Sequence, residues 1–242
     1  MSMGRTGVCE RNLWSLQNNP SGIAMLSGWQ LGGYYENAWL LKETSHKSLG
    51  ALMAFDKIGV VGIDVVHFGG STYSESLFGI AYARGFGPYL QLGIQGQAML
   101  FHWGEGYPNR WAFSFALGAQ SQVTETLRLG CCLINPIHGR LNTINNDPLP
   151  IVMRFGIAYQ FTDDFVGQAE IERNHNNEGI RIGGGFEYRL FRQFYLRAGV
   201  QHHPDILSFG VGYQVKGIIM DVAAQLHQVL GGSIQVEVRI ER

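Results

Sequence analysis

Ser233-Ile234-Gln235-Val236-Glu237-Val238-Arg239-Ile240-Glu241, at the end of the 242-residue chain, decides the fold. Ile234, Val236, Val238 and Ile240 fall on one face, and Gln235, Glu237, Arg239 and Glu241 on the other. A period of two means β-strand, because successive side chains point to opposite sides of the pleat. The same alternation restarts about every fifteen residues from Gly28 onward, with no helical pattern between. It predicts one large all-β wall, its polar face toward water and its other face toward something apolar.

Composition agrees. Hydrophobic residues make up 45% of the chain, but charged ones only 15%, below the roughly one quarter usual in soluble domains. Glycines number 33 and aromatics reach 12%, which suits close-packed strands with aromatic borders. The net charge of −1 gives no basic footprint, which excludes nucleic acid as a partner. Apolar runs such as 49–55 are far too short for a membrane helix, which needs about twenty residues; a membrane strand needs only about ten. Of the three cysteines, Cys131 and Cys132 are adjacent and should face opposite ways, and Cys9 is remote. They have neither zinc spacing nor a disulfide framework, and read as structural.

Fourteen strands are predicted, at 28–36, 48–56, 59–68, 74–85, 88–102, 110–123, 126–136, 149–161, 165–174, 178–190, 193–202, 206–214, 217–228 and 232–241. After every second strand the turn is tight: 56–57, 85–87, 124–125, 162–164, 192 and 215–217. The intervening connections are longer at 37–47, 69–73, 103–109 and 137–148, and moderate at 175–177, 203–205 and 229–231. Short turns at one end and longer loops at the other describe an up-and-down antiparallel transmembrane β-barrel of an outer membrane. An even strand number puts both barrel ends on the short-turn, periplasmic side.

The faces sort consistently. Met153, Phe155, Ile157 and Tyr159 point outward, as do Leu207, Phe209, Val211 and Tyr213. Asp64, Arg154, Glu170, Glu172, Arg181, Glu187, Arg189, Arg197, Asp221, His227, Glu237 and Arg239 point into the lumen, where both signs can pair. Aromatics gather beside the tight turns, among them Phe55, Phe86, Phe161, Phe191 and Phe194. Tyr34, Tyr35, Trp39, Trp103, Tyr107 and Trp111 crowd the loop end. Two aromatic belts around an apolar band are what a bilayer imposes. A soluble sandwich or propeller also alternates, but rarely combines this length, so few charges and alternating loop lengths.

No nucleophile elbow, P-loop, zinc spacing or dinucleotide fingerprint occurs, so neither enzymatic activity nor a cofactor or metal is expected. Gly183-Gly184-Gly185 lies inside a strand and reads as relief of crowding where a barrel wall bends or another segment approaches, rather than as a phosphate-binding loop. His202 and His203 should diverge as strand neighbours, which argues against joint metal ligation. Glu170 and Glu172 share a face, and pairing with Arg154, Arg181 or Arg197 explains them better than a catalytic carboxylate pair.

Residues 1–27 read differently from the wall and precede the barrel of 28–242. Residues 12–17 form a helical turn capped by Asn12, and Asn18-Asn19-Pro20-Ser21-Gly22 a turn. Here the chain resembles a family. The stretch Asn12-Leu13-Trp14-Ser15-Leu16-Gln17-Asn18-Asn19-Pro20-Ser21-Gly22-Ile23-Ala24 is similar to the N-terminal signature of the PorV/PorQ branch of FadL-like outer-membrane barrels. Tyr34-Tyr35-Glu36-Asn37, Gly104-Glu105-Gly106-Tyr107 and His227-Gln228-Val229-Leu230-Gly231 match its style. The resemblance implies a barrel in a bacterial outer membrane, whose N-terminal segment folds inside as a hatch; Trp14, Leu16, Asn18, Asn19, Pro20 and Gly22 would form it. It implies passage of small hydrophobic solutes or, alternatively, accessory work in type IX secretion; a closed structural barrel is a third reading. Partners would be outer-membrane lipid and either hydrophobic small molecules or secretion components. The outer loops are short for a secretion platform. The chain ends in Glu241-Arg242 rather than an aromatic, and its first residues show no leader, which is expected to have been removed or lost to a late start.

Overall fold

The computed structural model describes residues 2–137, 148–175 and 179–242. Its strands are β1 (Trp29–Asn37), β2 (Ser45–Phe55), β3 (Gly59–Gly69), β4 (Ser74–Phe86), β5 (Leu90–His102), β6 (Arg110–Gln122) and β7 (Leu127–Ile134). They continue as β8 (Val152–Thr162), β9 (Phe165–Asn174), β10 (Ile180–Phe191), β11 (Phe194–His202), β12 (Ile206–Val215), β13 (Ile218–His227) and β14 (Gly231–Glu241). Each pairs antiparallel with its neighbours in sequence, and β1 pairs with β14, so the sheet closes into a barrel. Trp29 and Arg242 exchange backbone hydrogen bonds of 3.1 and 3.0 Å at that seam. All fourteen strands fall on predicted spans. β2 starts three residues earlier than predicted, because Ser45, His46 and Lys47 go on pairing beyond the apolar band that alternation detects. The predicted loops at 137–148 and 175–177 lie mostly outside the described residues.

The outer surface carries the apolar half of the alternation. Ile157, Phe155, Val211 and Val222 are exposed among many other large hydrophobics. Phe161, Phe165 and Phe186 form a continuous run at the short-turn end, with ring centroids 5.2 and 5.5 Å apart. Tyr35, Tyr107 and Trp111 are exposed at the loop end, as expected. Tyr34 and Trp103 are not belt residues. Tyr34 is in phase with Gln30 and Glu36, so it points inward and packs edge-on against Trp14 at 4.9 Å. Trp103 leaves β5 and stacks on the inward Phe101 at 5.8 Å.

Residues 2–27 run inside the wall. A single helical turn, α1 (Ser15–Asn18), is followed by a 3-10 turn at Pro20–Ile23. Asn12 Oδ1 accepts from the Trp14 N–H at 2.9 Å, but the turn starts later than predicted and its N-cap is Trp14, not Asn12. The inner wall makes room with glycines. An ideal Cβ at Gly62 would stand 2.5 Å from Leu16 Cδ2, and one at Gly185 2.6 Å from the Met3 backbone. Cβ atoms at Gly93, Gly118, Gly156 and Gly199 would likewise collide with the segment. Leu13, Leu16 and Ile23 are essentially fully buried, with Leu52, Val60, Ala81 and Ala83 of the wall around them. Burial of each of these three side chains stabilises the docked segment by roughly 1.5–3 kcal/mol, an upper bound.

Candidate functional site

The inner segment is held by polar side chains projecting from the wall. Glu170 Oε2 on β9 accepts from the Gly7 and Val8 N–H groups at 2.7 and 2.9 Å. Gln120 on β6 donates to the Val8 and Glu10 carbonyls at 3.0 and 2.9 Å. Ser208 on β12 accepts from the Gly4 N–H at 3.0 Å. Gln17 donates to Ser48 at 2.6 Å and accepts from the Tyr34 hydroxyl at 3.0 Å. Within the segment, Asn19 donates to the Val8 carbonyl at 2.7 Å and accepts from Ser21, which folds it back on itself. Trp14, Leu16, Asn19, Pro20 and Gly22 are buried; Asn18 is half-buried, and its carbonyl accepts from Arg154 at 3.4 Å.

One half of the lumen is an ion ladder. Arg154 pairs with Glu172 at 2.6 Å; Arg181 pairs with Glu170 at 2.6 Å and with Glu172 at 3.0 Å. Arg197 pairs with Glu187 at 2.5 Å and reaches across β12 to Asp221, through space that Gly212 leaves open. Glu237 and Arg239 stand 3.5 Å apart on β14. Arg189 has the inward phase but ends at the short-turn mouth, paired with Asp164 at 2.6 Å. His227 lies at the opposite mouth, where its Nδ1 accepts from the Val229 and Leu230 N–H groups. His202 and His203 do not diverge. β11 ends at His202, and His203 turns with φ of 57°, which brings the rings edge-to-face at 4.0 Å.

The other half, β2 to β6, is partly apolar, carries the inward carboxylates Asp64 and Glu75, and opens into a vestibule at the loop end. This cavity has a volume of about 560 Å³. Rows across the sheet follow the strand register. Ser48, Val66, Leu77 and Met99 form one row; His46, Phe68, Glu75 and Phe101 lie toward the mouth; Gly50, Asp64, Gly79 and Gln97 lie deeper. Gln97 donates to Gln95 at 2.8 Å, and Gln95 to Asp64 Oδ1 at 2.6 Å. A second cavity of about 720 Å³ faces the ion ladder and is polar. Arg5, Gln17, Glu36 and His46 line both cavities, so the two adjoin beside the inner segment.

Within the segment, Glu10 titrates abnormally. Enclosure raises its carboxyl above the ordinary value of 4.5, helped by Glu187 and opposed by Asn12 and Arg197. Burial pushes the Cys9 thiol up to about 12, which leaves it an inert packing group beside Val8 and Cys132. Cys131 and Cys132 face opposite sides of the wall.

Gln17, Glu36, His46, Glu75, Gln95 and Gln97 line the vestibule, and none stood out in the sequence as a site residue. For the five on strands, inward phase was the available signal; Gln17 lies on α1 and had none. Their convergence was not legible, because it depends on which strands the closed sheet brings together.

No family model and no curated relative matches the sequence. Solved structures do. The chain is similar to the toluene transporter TbuX of Ralstonia pickettii, with a TM-score of 0.74 at 15% identity over 99% of this chain and 95% of that one. The toluene transporter TodX of Pseudomonas putida gives 0.73 at 12% identity over 98% and 94%. A FadL homologue of Pseudomonas aeruginosa gives 0.67 at 11% over 98% and 96%. These neighbours are FadL-like outer-membrane barrels, and at such identities the likeness is one of fold.

Proposed function

We propose that the chain is a bacterial outer-membrane barrel that passes small hydrophobic solutes inward, with residues 2–27 as its hatch. One observation carries this reading: a partly apolar outer cavity adjoins a polar inner one beside a segment threaded through the lumen. The toluene transporters TbuX and TodX share the whole architecture at low identity, which supports the solute class. The apolar outer face supports the membrane location.

Membership of the PorV/PorQ branch, with its role in type IX secretion, is the alternative that the N-terminal signature suggests. The closed structural barrel is the third. A bare phospholipid bilayer is itself permeable to small hydrocarbons, so the test needs cells with an intact lipopolysaccharide-bearing outer membrane. Expression of the chain should raise the initial uptake of radiolabelled naphthalene several-fold, and expression of the chain lacking residues 2–22 should raise it further. Uptake unchanged by both would reject passage and leave the secretion or structural roles.

A further inference from the structure

We infer that the outer vestibule recognises apolar molecules that carry an amine head, and discriminates against carboxylates of the same shape. This deepens the solute-passage reading and rests on it. The cavity is of the size that encloses a drug-sized molecule. Its walls, Val66, Phe68, Leu77, Met99, Ile206 and Leu230, are apolar. Its charged groups are mostly anionic. Among the described residues that line it, Glu36, Asp64 and Glu75 face the same space, against the single guanidinium of Arg5.

The unpaired atoms point the same way. Asp64 is 2% exposed, and its Oδ2 has no hydrogen-bond partner. Gln97 Oε1 and Glu36 Oε1 are also unpartnered, and the Arg5 guanidinium stands 3.8 Å from Glu36, beyond hydrogen-bond reach. All three orphaned atoms on the vestibule wall accept. Among the described residues, the orphaned donors, Arg11 Nε, Trp14 Nε1, Arg128 Nε and Arg239 Nε, all line the second cavity, beside the acceptors Gln168 Oε1 and the shared Glu36 Oε1. The wall organises this bias. Gln97 and Gln95 relay their amide donors toward Asp64 Oδ1, so Oδ2 and Gln97 Oε1 are left to accept. Gly79 opposite Asp64 has no side chain to crowd it. An ammonium offers donors only, so it satisfies acceptors and compensates the carboxylates at once; a carboxylate would add a fourth anion. The Val66–Leu77–Met99 row lies between the mouth and Asp64, two residues above it along each strand, or about 7 Å. A bound amine would therefore bury its head below its apolar body.

The test uses the full chain in phosphatidylcholine nanodiscs and three probes with one ring system: 1-naphthylmethylamine, 1-naphthylacetate and 1-methylnaphthalene. Equilibrium dialysis is corrected for partition into empty discs. The amine should bind at least tenfold more tightly than the acetate and more tightly than the hydrocarbon. Asp64→Asn and Glu36→Gln should each weaken the amine at least fivefold and leave 1-methylnaphthalene unchanged, which also shows that the variants fold. Acetate or hydrocarbon binding as tightly as the amine, or an amine indifferent to both substitutions, overturns the inference. Saturable hydrocarbon binding without amine preference would sink it while leaving solute passage intact. No saturable binding of any probe would remove both. If a variant fails to fold, the order of the three probes on the natural chain decides.

Discussion

Glu170 uses its two oxygens in different directions. Oε1 takes the Arg181 guanidinium, and Oε2 takes two backbone N–H groups of the inner segment. A single residue on β9 thus joins the ion ladder to the inner segment. Replacing it with alanine strands two N–H groups and half of Arg181's pairing. The expected cost is about 2–4 kcal/mol in lipid refolding titrations, since groups left unpaired in a buried site each cost on the order of 1–3 kcal/mol. The double variant Glu170→Ala, Arg181→Met should cost less than the sum of its parts. Strict additivity would show the two side chains to be separately solvated. The sequence made the ion pair legible, because inward phase and cross-strand spacing put Arg181 opposite Glu172 and near Glu170. The second contact was not legible. Gly7 and Val8 lie more than 160 positions away in the chain, and no periodicity links a backbone N–H to a distant carboxylate.

At the scale of elements, the inner segment and the wall are fitted to each other by what the wall lacks. Gly118 and Gly156 sit at inward positions where a side chain would occupy the place of Asn19 or Val8. Gly118→Val should expel the segment and leave the barrel closed. Acrylamide quenching of Trp14 should rise towards that of a free indole while the β-sheet circular dichroism stays unchanged; an unchanged quenching constant would refute the fit. Glu10 adds a pH dependence. Its carboxyl has a raised proton affinity when the segment is docked, so above 4.5 the undocked form loses its proton first. Docking is therefore strongest at and below that value, and weakens as pH rises through the window above it. Trp14 should be more accessible at pH 8 than at pH 5, and Glu10→Gln should flatten the profile. A profile of the opposite slope would mean that Glu10 docks as a well-paired anion. The strand pattern was legible because each strand repeats one rule. The inward glycines carried a readable signal too: Gly183-Gly184-Gly185 was read as relief of crowding at a bend or beside another segment, and Gly183 and Gly185 face Gly4 and Met3 of the inner segment. What they make room for was carried by the N-terminal motif, not by the strands.

The whole molecule is a cylinder with two unlike halves inside and one uniform skin outside. An 11-residue strand such as β14 rises about 36 Å along its axis, or about 28 Å along the membrane normal at a tilt near 40°. That matches an apolar band of about 25 Å between aromatic borders. Arg placed at Ile157 or Val211 on the skin should cost about 2–4 kcal/mol near the midplane, and much less at the inward Gln160 or Gln214. Equal costs in lipid refolding titrations would reject the assignment of faces. The skin was read from sequence nearly in full. The division of the interior into an ionic half and a vestibule half was not, since both halves obey the same alternation.

The seam where β1 meets β14 sets an order of events. The segment inside the barrel leads directly into β1, and its contacts with Glu170 and Ser208 join the two ends of the chain. Its partners on β9 and β12 are made late in synthesis, and the last strand shuts the cylinder behind them. The segment is a free arm tethered at the short-turn mouth, so it can enter a cylinder that has already shut without disturbing the seam. These residues precede every strand yet are among the last to find their places, waiting on contacts that arrive only as the sheet approaches completion.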